Sequence, residues 1–318
     1  MPRVAVIALV AALVAACSGG ERDRASTTTT RPAPPTAADL CAQARAVPDP
    51  GRVAQPALVE ASGLVASRAE PGLLWAHNDS GGAPEVFAIG EDGSDRGRWS
   101  VAGASARDWE DMAAGPGPAD GDPGVLYLGD IGDNNAQREE VVVYRVAEPR
   151  VPAGAAGGDL AGAAALTLTY ADGPRDAEAL LADPLTADLF VVTKQWGGGP
   201  AGVYRIPAGV DPGTTTRMER AADVGGSDGR LITGGDVSPD GSVVGLRTYT
   251  EVLLWDRGPD QTVPEALAGR PCTAPSAAEP QGESLALAAD GRGYLTVSEG
   301  ANPPLHAFRL PGRAPPPG

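Results

Sequence analysis

The feature that most limits what this chain can fold into is a repeat. Three short β-prone runs recur in the same order five times between Ser62 and Leu310. Each copy opens on a small, acidic or apolar step: Ser62-Gly63-Leu64, Glu110-Asp111-Met112, Glu178-Ala179-Leu180, Gly235-Asp236-Val237 and Glu283-Ser284-Leu285. A second run follows a turn, beginning at Leu73, Val125, Leu189, Ser242 and Gly293. A third lies at 86–89, 143–146, 203–206, 252–255 and 306–310. Gly, Asp and Pro punctuate the runs, and no stretch of 12 or more residues carries the 3.6-residue period of an amphipathic helix.

The copies start 48, 68, 57 and 48 residues apart. A four-stranded propeller blade needs about 40–50 residues, with insertions enlarging some. Fourth strands are predicted at Arg98–Val101, Leu166–Tyr170, Arg217–Val224 and Val263–Ala268. The fifth copy ends after three strands, and Val53–Val59 is the expected source of its outer strand, joining the two ends of the domain. The fold class is therefore all-β: a single β-propeller of about five four-stranded blades. Six is the count if Cys41 to Val59 and the 149–171 insertion contribute more. A β-sandwich does not explain why one strand order recurs.

The chain ahead of the repeat has another character. Arg3 is followed by an apolar run, Val4 to Ala16, of 13 residues, too short to span a bilayer comfortably. It ends in Val14-Ala15-Ala16-Cys17, the lipobox pattern of bacterial lipoproteins. The next segment is rich in Thr and Pro and nearly free of large apolar residues, so burial cannot offset its ordering entropy. The expected organisation is a signal peptide over 1–16, a lipidated Cys17 with a disordered tether over 17–39, a propeller over 40–311 and a disordered tail over 312–318. Membrane lipid is then a partner through Cys17, each buried CH₂ contributing about 0.8 kcal/mol. The localisation is the extracytoplasmic face of the cell membrane. Outside the cytoplasm Cys41 and Cys272 are expected to pair.

Net charge is −16, which excludes nucleic acid as a partner. Lys194 is the one lysine; arginine fills the other cationic positions. In an antiparallel hairpin the start of strand one and the end of strand two share an edge. Glu110, Glu178 and Glu283 should thus ring one mouth of the central channel, with His77, Asn78, Asp79, Asp130, Lys194, Arg247 and Glu299 one step outward. Asp111 and Asp236 complete the expected ligand-binding set. The same face gathers Trp109, Trp196 and Tyr249, whereas Trp75 and Trp255 lie within strands and read as core. Converging carboxylates repel unless a basic group or a hard cation intervenes. Lys194 and Arg247 can serve, or calcium, for which Glu110, Asp130, Asp133 and Asn134 are the candidate donors. Gly225–Gly229 matches G-x-S-x-G by letters only, since no helix is predicted after it. Two histidines and no spare cysteines exclude a multi-histidine zinc site.

Several motifs together resemble a group of exported bacterial propeller proteins: WAHNDSG at 75–81, DWEDMA at 108–113, LYLGDIGDNN at 126–135, DAEAL at 176–180, TGGDVSPDG at 233–241, QGESLAL at 281–287 and TVSEG at 296–300. The group is similar, more distantly, to phytase-like and SdiA-regulated propellers. The resemblance spans about residues 58–310 and implies a propeller fold without specifying an activity. Two functions are carried forward. One is a lipid-anchored binding or scaffold module for a small polar ligand, a glycan or an envelope protein. The other is a calcium-dependent phosphate- or carboxylic-ester hydrolase, with Glu178 or Glu283 as base and Lys194 or Arg247 stabilising developing charge. A purely structural envelope role is the third.

Overall fold

The computed structural model describes residues 33–118 and 124–312. The signal segment, Cys17, most of the tether and residues 313–318 of the tail lie outside the described residues. Order begins slightly earlier than expected, with helix α1 (Ala37–Gln43). Thr36 and Asp39 form its capping box, so residues placed in the tether are part of the folded domain. Strand β1 (Arg45–Ala46) follows.

The remaining strands fall into units of one plan. The first holds β2 (Ala61–Ala66), β3 (Leu73–Asn78), β4 (Glu85–Gly90) and β5 (Asp95–Val101). The second holds β6 (Trp109–Gly115), β7 (Val125–Asp130) and β8 (Val141–Ala147). The 149–171 insertion then sends β9 (Gly157–Leu160) back to pair parallel with β5, before β10 (Ala164–Tyr170) completes the second unit. The third holds β11 (Ala177–Ala182), β12 (Leu189–Thr193), β13 (Gly202–Ile206) and β14 (Thr216–Asp223). The fourth holds β15 (Ile232–Val237), β16 (Val243–Thr248) and β17 (Val252–Asp256). Helix α2 (Val263–Leu267) intervenes before its outer strand β18 (Cys272–Ala274). The fifth holds β19 (Ala286–Leu287), β20 (Gly293–Val297) and β21 (Leu305–Arg309), and β1 pairs antiparallel with β21 as its outermost strand.

Within each unit, strands pair antiparallel in chain order, and the first strand is innermost. β2 packs on β6, β6 on β11, β11 on β15, β15 on β19 and β19 on β2, so the inner strands close a ring. The fold is a β-propeller. Inner and middle strands are buried on both faces, as expected when each sheet is packed between two others.

Two strand assignments need correction. The outer strand of the fifth unit is Arg45–Ala46, not Val53–Val59; Val53 and Leu58 are instead core residues between the first and fifth units. The 263–268 segment is a helix rather than a strand. Thr262 caps it, Glu265 closes the capping box and Pro264 sits in its first turn. Trp75 and Trp255 are core, as expected. Cys41 and Cys272 are joined, pinning α1 to β18 across 231 residues. A cross-link closing so long a segment stabilises by about 2–4 kcal/mol. Ser227 of the G-x-S-x-G match is buried, donates to the Val224 carbonyl and accepts from the Ala201 amide, so it is a loop brace.

Candidate ligand site at the channel mouth

The glutamates reach the mouth through irregular strand pairing. The β6–β7 ladder slips between Trp109 and Asp111, and the β11–β12 ladder slips between Ala177 and Ala179. The supernumerary residues are Glu110 and Glu178, and a bulge re-aims the side chain it carries. Glu283 precedes β19, just after the isolated Gly282–Ser298 bridge. The slip in the fourth unit lies between Ile232 and Gly234, so its equivalent position is Thr233 and not the expected Gly235-Asp236 step.

Glu110, Glu178 and Glu283 converge with Asp79, Asp108 and Glu299. One carboxylate oxygen each from Asp79, Asp108 and Glu110 lie within 4.8 Å of one another. Oxygens of Asp79, Glu283 and Glu299 do so as well, which makes Asp79 the shared vertex of two triads. Gly132 permits this crowding, since a Cβ there would fall 2.0 Å from Glu110 Oε1 and 2.6 Å from Asp108 Oδ2. Gln281 donates to Glu283 (3.2 Å) and Glu299 (2.9 Å), while Oε2 of the buried Glu283 has no hydrogen-bond partner among the described residues.

Crowding and burial raise the acids. Burial, then Glu299 and Glu178, push Glu283 up to about 8. Burial lifts Glu178 to about 7 although Lys194 opposes it. Glu110 is held well above the ordinary range by burial, Glu178 and Asp79. Asp79, Asp108 and Glu299 are raised mainly by burial too.

Lys194 is the cation of this cluster. Its Nζ pairs with Glu178, donates to the Tyr249 hydroxyl at 2.7 Å, and lies 4.9 Å from the Tyr249 ring centroid and 5.1 Å from that of Trp196. Its pKa is raised: burial opposes the charge, but Glu178 and Tyr249 outweigh it.

Other candidates sit elsewhere. Arg247 is fully buried and pairs with buried Glu279 at 2.8 Å between the fourth and fifth units. It is a structural ion pair and does not face the mouth. Asp130 pairs with Arg138 at 2.8 Å, Asp133 accepts from the Arg138 amide, and Asn134 is exposed. Of the expected calcium donors only Glu110 belongs to a triad, because Arg138 already neutralises the 130–138 loop. His77 is buried beneath Gly63 and edge-on to Trp109, with its pKa lowered chiefly by burial. Asn78 accepts from the Val59 and Glu60 amides and braces that turn.

Asp111 and Asp236 lie inside the channel rather than at its mouth. Asp111 accepts from the backbone of Met112, Leu180 (2.9 Å) and Gly235 (3.0 Å), tying the inner strands of the second, third and fourth units. Asp236 accepts from Leu287 (2.8 Å) and from Arg68, which enters from the first unit and also donates to the Val237 carbonyl. The second unit reaches the fourth and the first reaches the fourth only across the ring, so the axis is bridged twice below the mouth.

Missed from the sequence were Asp108, Asp176 and Gln281. Each stands two residues before a ring glutamate, and in an extended chain such residues share a face.

No protein-family model matches the chain, and no curated protein does. Among solved structures, the PQQ-bound aldose sugar dehydrogenase from Streptomyces coelicolor superposes with a TM-score of 0.50 at 12% identity, over 87% of this chain and all of that one. A gluconolactonase from Xanthomonas campestris gives a TM-score of 0.47 at 13% identity, over 89% of this chain and 99% of the other. At such identities the likeness concerns architecture, and the class defined is a β-propeller with an acidic mouth.

Proposed function

We propose that this is a binding protein whose acidic mouth takes up a divalent cation, calcium by its donor set, and presents it to a polar ligand. The supporting observation is the pair of carboxylate triads meeting at Asp79, one of which includes the buried Glu283, whose Oε2 has no hydrogen-bond partner among the described residues. The donors are all hard oxygens, as calcium and magnesium prefer, and water would complete a shell of six to eight. A cation also relieves the mutual repulsion that otherwise keeps these groups protonated.

Isothermal titration should show calcium binding with proton release, together with a rise in melting temperature, since a ligand of the native state stabilises it. Asp79→Asn, which weakens both triads, should lower the affinity at least tenfold while leaving the fold intact. The absence of both binding heat and a thermal shift in millimolar calcium would refute the site. Turnover of a phosphate- or carboxylic-ester panel by the calcium-loaded protein would favour the hydrolase reading, with Glu178 or Glu283 as base.

We also propose that Cys17 carries lipid and holds the propeller at the outer face of the cell membrane. No helix among the described residues is long and apolar enough to cross one. Cys17→Ser should move the protein from the membrane to the soluble fraction; an unchanged distribution would contradict anchoring there.

A further inference from the structure

Trp196 differs from the other tryptophans. It is 59% exposed, whereas Trp75, Trp99, Trp109 and Trp255 are buried. An exposed indole usually gains from burial, yet this one is held in place. Its Nε1 donates to Asp176 at 2.9 Å, and Lys194 Nζ lies 5.1 Å from its ring centroid. The three residues after it are Gly197, Gly198 and Gly199, and a Cβ at either of the last two would meet nothing within 4 Å. The ring is therefore pinned at its edge, backed by a cation and unscreened by its own loop. It borders the mouth, because the Lys194 that backs it also pairs with the ring carboxylate of Glu178.

We propose that Trp196 is the stacking platform for a neutral carbohydrate. This deepens the binding reading above and relies on it for the cation. A pyranose presents a face of C–H groups that packs on an aromatic ring by dispersion and apolar burial. Its hydroxyls donate to carboxylates, and a vicinal pair supplies two of the oxygens a calcium shell requires. An organic cation is the competing ligand for an aromatic ring beside acids. It would be drawn by the negative face of the ring. Lys194 already draws on the electrons of this indole, and its charge lowers the attraction for a second cation on the outer face.

The test uses the full-length protein in detergent, loaded with calcium. The probes are glucose, galactose, mannose, N-acetylglucosamine, maltotriose and cellotriose, with tetramethylammonium as the cationic probe. Acrylamide quenching reports on Trp196 because the other four tryptophans are buried. At least one saccharide should bind and reduce quenching. Trp196→Ala should weaken that binding tenfold or more with the calcium isotherm unchanged, and Trp196→Phe should restore part of it. If calcium binds normally but no saccharide does, the platform is overturned and the cation reading stands. If a saccharide binds through Trp196 while calcium gives no heat, the platform stands and the cation reading falls. Tetramethylammonium binding in preference to every saccharide overturns the assignment of ligand class.

Discussion

Asp111→Ala should lose about 3–6 kcal/mol of folding stability, or yield no folded protein. Asp111 is fully buried and accepts three backbone N–H groups, from Met112, Leu180 and Gly235. Alanine leaves all three without a partner where water has little access, and each such group costs about 1–3 kcal/mol. The loss falls on the inner ring, so every unit feels it. Asp111→Asn keeps one acceptor oxygen but turns an amide N–H₂ toward a backbone donor; it should fold with an intermediate loss. Urea denaturation measures both, and an unchanged midpoint for Asp111→Ala would show that the strands hold together without this bridge.

The second large effect is on pH. Glu283 and Glu178 are raised to about 8 and about 7, and Glu110 is held well above the ordinary carboxylate range by burial and by Glu178. Below the ordinary carboxylate range, folded and unfolded chains are both protonated at these positions and no titration free energy separates them. As pH rises through about 4.5 the unfolded chain ionises while the folded mouth retains its protons. The folded state then binds more protons than the unfolded one, and stability falls as pH rises. The part of the loss due to Glu178 and Glu283 is complete once the pH passes about 8. Asp183 acts in the opposite sense: burial resists its ionisation, but the Arg257 fork outweighs this and holds it low, so stability is also lost in strong acid. Melting temperature should peak near pH 5 and fall by on the order of 10 °C by pH 8.5. Excess calcium at pH 8.5 should recover most of that loss. A melting temperature that rises from pH 5 to 8.5 without calcium would mean the acids are not crowded as described.

The repeat was legible because strand length, turn chemistry and hydrophobic runs are local properties. The ring glutamates were legible for the same reason, as the first residues of three of the five copies. What failed depended on partners distant in sequence. Arg247 looks like a mouth residue at the end of β16, but it is spent on Glu279, 32 residues away. Asp130 and Asp133 look like calcium donors until Arg138 folds over them. β1 is two residues long and exists only because β21 offers an edge. Helix α2 did carry a local signal, the Thr262–Glu265 capping box, which the apolar Val263, Ala266 and Leu267 masked by reading as a strand. Asp108 and Asp176 were recoverable from alternation alone.

β1 carries one more implication, for how the protein reaches its native state. The strand that completes the last sheet is made before any other strand, and its pairing partner is made after all the others. During synthesis the early hairpins can form as they emerge, but residues 45 and 46 must wait for 305–309. The final docking step thus follows the appearance of every other described strand and involves contacts of the longest sequence separation, which places it among the slow events of folding.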